Sequence, residues 1–540
     1  MERLLALYHW LLDSSRGASN HLLSRWLFLR ALGLIYISAF FPLLFQIRGL
    51  IGQHGILPAN EYLQLVASSL PHGKFFFAPT LLWISTGPHM LTGICWVGVL
   101  AGLLLAFNLW PRAMLLVCFV CFLSFVSAAE DFSGYQSDGM LLEAGFISLF
   151  FVPSGLRPGW GADSPPSRAS LFLLLYEWFR IYFESGVAKI VSGDPHWRNF
   201  TAMDEYYQNG PLPTWIGWYV QQLPHRFHSF TSFLTLFVEL ALVWMLFLGR
   251  RARIVSFFIV TALQIGIILT ANYTFLNYIV LALGFLLLDD RFFRRWLPPS
   301  LQTSLRCPAA EQPAPPAAAP AENPASPAPA ATVREEFFPL LKRLRLTSSL
   351  VIFLAIFYSA TTQMLWMLWP ALPLPARPVE FLDPFRIANR YGLFAVMTPA
   401  RYEIEFQGSD DAKNWLPYPF LFKPQDPAVA PSLYAPYQPR FDWNLWFASL
   451  GNWRQYPIVI STEERLLRGD PDVLGLFAAD PFAGHPPRYL RAVLWRYWFT
   501  SLEEKRSTGM WWRRQLLGLY APPLVREPDG SVAIVRTREQ

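Results

Sequence analysis

Glu177, Arg180, Glu184 and Lys189 fall within thirteen positions of an apolar, aromatic-rich stretch, EWFRIYFESGVAK, which breaks at Gly193-Asp194-Pro195. On a helix Glu177, Arg180 and Glu184 are spaced i, i+3 and i+7 and share one face, with Arg180 and Glu184 able to pair directly. Ionisable groups in so apolar a setting are costly unless they face a bundle interior or an aqueous cavity and pair with one another. Three roles suit the pattern. As structure, it is an ion-pair network that holds helices together. As chemistry, the network fixes Lys189, the one catalytic candidate, at the mouth of a cavity as a general base or nucleophile. The third role is ligand or partner binding. Asp194, Trp197, Arg198 and Asp204 continue the stretch, and Asp138, Glu143 and Glu239 add carboxylates from other apolar segments. Together these eleven positions form a candidate polar site inside the bundle.

Other chemistries lack their residues. The histidines never adopt a metal-ligand spacing such as H-E-x-x-H, and His225-x-x-His228 has no carboxylate at ligand distance in sequence. No metal and no cofactor is expected. There is no G-x-S-x-G elbow, P-loop or dinucleotide fingerprint, so the chain is not itself a recognisable lipase or nucleotide-driven machine. The net charge of +6 is modest, and the arginines cluster in short loops instead of forming a basic stripe, which argues against nucleic acid as a partner. Cys95, Cys118 and Cys121 lie in apolar spans and Cys307 opens a linker, so the C-terminal 230 residues cannot be stapled by disulfides. Asn199-Phe200-Thr201 is an N-glycosylation acceptor where the compartment permits one.

The elements that must position these residues are membrane helices. A composition of 53% hydrophobic and 15% charged residues, with 22 Trp and 45 Phe, suits wide apolar faces and interfacial aromatic belts. Apolar runs at 31–47, 88–108, 113–129, 139–153, 170–188, 230–248, 254–270, 273–288 and 347–369 predict about nine transmembrane helices. The run at 31–47 reads as a retained span and not as a cleaved signal. Arg3, Arg16, Arg25, Arg30, Arg112, Arg157, Arg168, Arg250, Arg251, Arg253 and the basic residues at 291–295 and 342–345 share one side if the N-terminus is cytoplasmic. The C-terminus is then luminal or periplasmic.

Residues 1–290 therefore form an eight-span membrane domain. A basic and Pro/Ala-rich cytoplasmic linker follows at 291–346, with its low-complexity core at 307–332, then a last transmembrane helix at 347–369. From 370 to 540 the character changes to a soluble α+β domain. Alternation at Tyr402–Phe406 and Trp415–Phe422 around Gly408-Ser409-Asp410-Asp411 predicts a β-hairpin, Leu490–Thr500 a further strand, and 443–450 and 462–477 helices.

Two blocks of residues carry a family resemblance. The first runs from Gly186-Val187-Ala188-Lys189 through Gly193-Asp194-Pro195-His196-Trp197-Arg198-Asn199-Phe200-Thr201-Ala202-Met203-Asp204. It continues in Gly210-Pro211-Leu212-Pro213, Val238-Glu239-Leu240 and Asn272-Tyr273-Thr274-Phe275-Leu276-Asn277. The second includes Asn389-Arg390-Tyr391-Gly392-Leu393-Phe394, Pro439-Arg440-Phe441-Asp442-Trp443-Asn444-Leu445-Trp446-Phe447-Ala448 and Trp511-Trp512-Arg513-Arg514. On these the chain is identified as a member of the lipase maturation factor family.

The resemblance implies a multi-pass membrane protein, chaperone-like and non-enzymatic, that assists secreted lipases to fold and assemble. Membrane lipid and a lipase-like client are then its partners. In animals the family works in the endoplasmic reticulum, with the luminal C-terminal region as client-binding surface; in a bacterium the same topology gives an inner-membrane protein with a periplasmic domain. Trp443, Trp446, Trp511 and Trp512 are the expected client anchors, because large rigid aromatics dominate interface energetics; packing their own domain's core is the alternative. A shorter likeness, Ser185-Gly186-Val187-Ala188-Lys189 with Trp197, is similar to the stretch bearing the catalytic lysine of vitamin K-dependent γ-carboxylase, and implies an integral-membrane enzyme using Lys189 as the competing function.

Overall fold

The computed structural model describes residues 2–13, 16–299, 302 and 333–535; the core of the expected linker, 307–332, and Cys307 lie outside them. Helices form at each of the nine apolar segments: α1 (Leu22–Ile51), α2 (Pro88–Ala106), α3 (Pro111–Val126), α4 (Gln136–Ser148), α5 (Arg168–Val191), α6 (His225–Leu240, continued by a 3₁₀ turn at Leu242–Phe247), α7 (Arg250–Thr270), α8 (Leu276–Gly284) and α9 (Val333–Leu368). Among the described residues five stretches are long and apolar enough to cross a membrane: Leu22–Ile51, Pro88–Ala106, His225–Phe247, Arg250–Thr270 and Arg343–Leu368. Length and composition thus support five crossings where the apolar runs predicted nine. The difference is physical. The 13 residues of α4 extend about 20 Å, short of a ~30 Å hydrocarbon layer. α3 and α8 are short as well, and α5 is long but charged.

Local chemistry sets the helix ends. Pro88 and Pro111 open α2 and α3, where the missing N–H costs nothing. The Ser167 hydroxyl caps α5 by accepting from the Ser170 N–H. At its other end Gly193 takes φ +76° and turns the chain into Asp194-Pro195. α1 and α2 pack closely where Gly33 meets Gly102 and Ala106: a Cβ on Gly33 would stand 2.7 Å from the Ala106 nitrogen.

The bundle has two chemically distinct ends. At one, the Asp290 carboxylate accepts from the Leu22 and Leu23 N–H groups (both 2.9 Å), Arg112 donates to the Val152 carbonyl (3.0 Å), and Arg250 pairs with Asp289 (2.6 Å). At the other, α1, α3 and α5 finish and α4, α6 and α8 begin, and there the C-terminal domain docks. Between the ends the flanks of α1, α2, α6, α7 and α9 present exposed Leu34, Phe45, Trp96, Phe230, Phe258 and Val351, the apolar exterior expected of helices facing lipid.

The C-terminal domain is an antiparallel sheet with helices α10 (Arg440–Ser449) and α11 (Ile458–Arg468). Its strands are β1 (Arg401–Ser409), β2 (Leu416–Pro417), β3 (Tyr489–Phe499), β4 (Trp512–Leu519), β5 (Leu524–Arg526) and β6 (Val532–Ile534), in the order β2-β1-β3-β5-β6 with β4 also on β3. β3 is the hub: it pairs with β1 from Arg401↔Tyr497 to Ser409↔Tyr489, and with β4 from Val493↔Leu519 to Phe499↔Trp512. The expected hairpin forms, with its second strand reduced to two residues. The expected helix at 462–477 is broken, because Gly469 at φ +69° ends α11 and Asp470-Pro471 starts a separate turn.

Glu463 sits in the apolar stripe of α11 with Val459, Leu466 and Leu467, fully buried. Burial pushes its carboxyl well above the usual carboxylate range. The native state therefore holds this proton at pH values where the unfolded chain, with a carboxyl near ~4.3, has lost it. Its contribution to stability is complete below the unfolded value and is lost as pH rises from there toward the raised folded value. Glu463→Gln should flatten that fall and stabilise the detergent-solubilised protein at pH 7.5 by about 1 kcal/mol or more, seen as a higher melting temperature. Thermal melts from pH 4.5 to 8 check this; an unchanged slope contradicts it.

Candidate functional site

The C-terminal domain and the segment 386–398, between α9 and β1, meet the buried charges of the bundle end in three places. The first is anchored by α10. Arg440 grips Asp138, at the start of α4, with two hydrogen bonds of 2.7 and 2.9 Å, and donates also to the Phe132 carbonyl at 2.7 Å. Both partners are buried, and the guanidinium lies over the Phe125 and Tyr135 rings. Gln46 of α1 accepts from the Arg440 N–H at 2.8 Å. A bidentate arginine fork, with a further bond from Nη1 to a carbonyl, is the geometry that makes a buried pair tolerable.

The second contact gathers Glu143 of α4 and Glu177, Arg180 and Glu184 of α5, all buried. Arg180 is hydrogen-bonded to Glu143, stands 3.6 Å from Glu184, and donates to the Asn389 carbonyl at 2.7 Å. One guanidinium faces three carboxylates, and the balance of hydrogen-bond donors comes from the C-terminal segment. The Asn389 N–H donates to Glu143 Oε2 (2.9 Å), and so does the Tyr391 hydroxyl (2.8 Å). The Tyr391 N–H donates to Glu184 Oε2 at 2.7 Å. Tyr391 is completely enclosed.

The third lies at the end of α5. Lys189 Nζ donates to Glu239 Oε1 of α6 at 2.9 Å and to the Leu393 carbonyl at 2.8 Å, over the Trp197 ring. The Trp197 indole N–H donates to the Phe394 carbonyl (2.9 Å), and Asp194 accepts from the Met397 N–H (2.5 Å). Beyond these, Arg401 donates to the carbonyls of Gln208 and Pro211, both at 3.0 Å. Asn272 accepts from the N–H groups of Tyr434 and Ala435.

Of the eleven positions singled out in the sequence, Asp138, Glu143, Glu177, Arg180, Glu184, Lys189, Asp194, Trp197 and Glu239 thus line one seam. Arg198 is exposed, and Asp204 stands apart, paired with His225 at 2.9 Å. The four tryptophans expected as client anchors pack against this chain's own residues. Trp443 packs on Tyr135 with ring centroids 4.9 Å apart, Trp446 donates to the Asn209 carbonyl, and Trp512 stacks on Phe499 at 4.5 Å; all three are buried. Trp511 is half-buried, wedged between Trp218 and Lys505. Side chains already enclosed by their own chain offer no surface to a partner. Asn389, Tyr391, Arg401 and Arg440 were not among the expected site residues; the first, second and fourth sit in the Asn389–Phe394 and Pro439–Ala448 blocks, whose density of polar and aromatic residues was their signal. Among the described residues no group of three or more His, Cys, Asp or Glu is placed to hold a metal ion.

A helical bundle with a lipid-facing exterior, joined through a buried ion pair and buried hydrogen bonds to an α+β domain, defines an integral-membrane protein whose C-terminal domain is part of its polar core. The comparisons narrow the class. Residues 23–295 match the lipase maturation factor transmembrane domain and residues 387–522 the lipase maturation factor C-terminal domain. The chain is 32% identical to lipase maturation factor 2 of Gallus gallus, across 94% of this chain and 83% of the relative. It is 30% identical to lipase maturation factor 1 of Homo sapiens, across 94% and 88%. The chain belongs to the lipase maturation factor family. No solved structure matches it. The shorter likeness to γ-carboxylase finds no support in these matches.

Breaking the first contact should be costly. Asp138→Asn or Arg440→Met alone leaves a buried partner uncompensated and should destabilise by about 3–5 kcal/mol, while the double variant should lose less than the sum. Chemical denaturation of the solubilised protein measures all three; additive losses contradict a direct pair.

Proposed function

We propose that this protein assists the maturation of exported lipases, as its relatives' names describe for them, by holding a client on its C-terminal domain at the extracytoplasmic end of the bundle. That end is the endoplasmic reticulum lumen in a eukaryotic cell and the periplasm in a bacterium. The nine helices cross in alternation, with the N-terminus cytoplasmic. Supporting this, Arg25, Arg112, Arg168 and Arg250 gather at the bundle end opposite the C-terminal domain, as the positive-inside rule requires. The short α4 lies within the bundle, where its backbone is sheltered from lipid.

The observation that carries the client role is the free edge of β4. From Arg513 to Leu519 this strand has β3 as its one strand partner among the described residues, and Leu516, Leu517 and Leu519 are each about half exposed. An unpaired, apolar strand edge is a template for pairing with another chain, and proteins normally blunt it. Here it offers main-chain hydrogen bonds to an extended segment of an incompletely folded client, with the leucines receiving its side chains. Lys189 in this account is structural, its Nζ engaged by Glu239 and Leu393.

Two variants separate the readings. Leu516→Lys with Leu519→Lys should leave the protein folded yet lower the specific activity of a co-expressed secreted lipase several-fold, because charge on an edge blocks strand addition. Lys189→Arg, which keeps the charge but cannot deprotonate, should leave that activity near normal. Full lipase activity with the edge variant, or its loss with a folded Lys189→Arg protein, contradicts the proposal.

A further inference from the structure

Beside the third contact lies a cavity of about 610 Å³, within the ~300–1,000 Å³ range of sites that hold a small ligand. Its walls are apolar: Ile181 of α5, Leu234 and Val238 of α6, Leu263 and Ile267 of α7, Val280 of α8. Polar groups are few and largely satisfied. Gln264 donates to the Tyr182 hydroxyl at 2.8 Å and accepts from Asn277 at 2.6 Å. Lys189 and Glu239 form a pair of zero net charge. One atom is left over: Glu239 Oε2 is buried in the wall and has no hydrogen-bond partner. A buried carboxylate oxygen without a donor is costly, and a ligand hydroxyl reaching it would remove that cost.

The entrance faces the bundle's flank. α6 and α7 line opposite sides of the cavity, and Ala262 and Gly266 of α7, both exposed, border it. The outer faces of these helices carry exposed Phe230, Phe233 and Phe237 on one and Val255, Phe258 and Leu269 on the other. A molecule entering between them comes from an apolar phase and not from water.

We propose that this cavity binds a neutral, hydroxyl-bearing membrane lipid, admitted laterally between α6 and α7, with hydrocarbon against the apolar walls and its hydroxyl donating to Glu239 Oε2 as that enclosed oxygen turns from the wall into the cavity. The cancelled charge of Lys189 and Glu239 offers an anionic headgroup no net attraction, and the apolar walls would desolvate a zwitterionic one. The site does not depend on the client role, since it draws on residues distant in sequence from β4.

The test is photolabelling of the full-length protein in detergent micelles or nanodiscs. The probe is a monoacylglycerol with a diazirine in its acyl chain; equally labelled fatty acid and phosphatidylcholine serve as comparators. Labelled peptides should map to α6 and α7, with the monoacylglycerol the strongest of the three. Gly266→Trp should lower its labelling at least tenfold, because a Cβ at Gly266 meets nothing within 4 Å and the indole can fill the entrance without displacing backbone. Ala262→Phe serves the same purpose should the first variant not retain the wild-type melting temperature. Labelling equal in a folded, blocked variant overturns the lipid site, and stronger labelling by the fatty acid or phosphatidylcholine overturns the neutral, hydroxyl-bearing assignment.

Discussion

Buried carboxylates in a helical bundle must find donors, and here the bundle does not supply enough of its own. Glu143, Glu177 and Glu184 share Arg180, and Asp138 has no bundle cation among its hydrogen-bond partners. The balance comes from the C-terminal third of the chain: Arg440 for Asp138, the Asn389 and Tyr391 amides and the Tyr391 hydroxyl for the glutamates, and the Met397 amide for Asp194. The cost of an unpaired charge in such surroundings makes docking of the C-terminal domain a requirement for the bundle, and not an accessory contact.

This dependence explains how the rest is arranged. The segment 386–398 has little regular secondary structure, and its backbone groups are used instead as ligands for side chains of α4 and α5. α10 brings Arg440 down onto α4 while its tryptophans seal the joint against Tyr135 and Asn209. Anchored at three places, the sheet cannot swing freely on the bundle, so β4 presents its open edge at a fixed position relative to the membrane. The cavity between α6 and α7 ends against Lys189, Leu393 and Phe394, which places it in contact with the same seam.

Much of this was legible in the sequence because charge in an apolar run is expensive and therefore informative. The spacing of Glu177, Arg180 and Glu184 gave one helix face, and Lys189 and Glu239 stood out for the same reason. What local pattern cannot report is the partner. Arg440 lies 302 residues from Asp138, and backbone amides such as those of Asn389 and Tyr391 leave no mark in composition. The role of the tryptophans is not legible locally, because client anchoring and core packing call for the same residue type. The strands from 512 to 534 carry no such signal: Arg513 to Leu519 lacks the alternation of a half-buried strand, and both its faces are open. The span count is least legible at α4, because an apolar run suits a buried half-length helix as well as a full crossing.

Hydrogen–deuterium exchange of the intact protein in detergent tests the central dependence most directly, because the amides of Asn389, Tyr391 and Met397 are held by carboxylates and not by regular secondary structure. These amides should exchange as slowly as those of the β1–β3 ladder and be released together when α4 and α5 separate. Exchange as rapid as in an exposed loop, with the bundle still folded, would contradict the account.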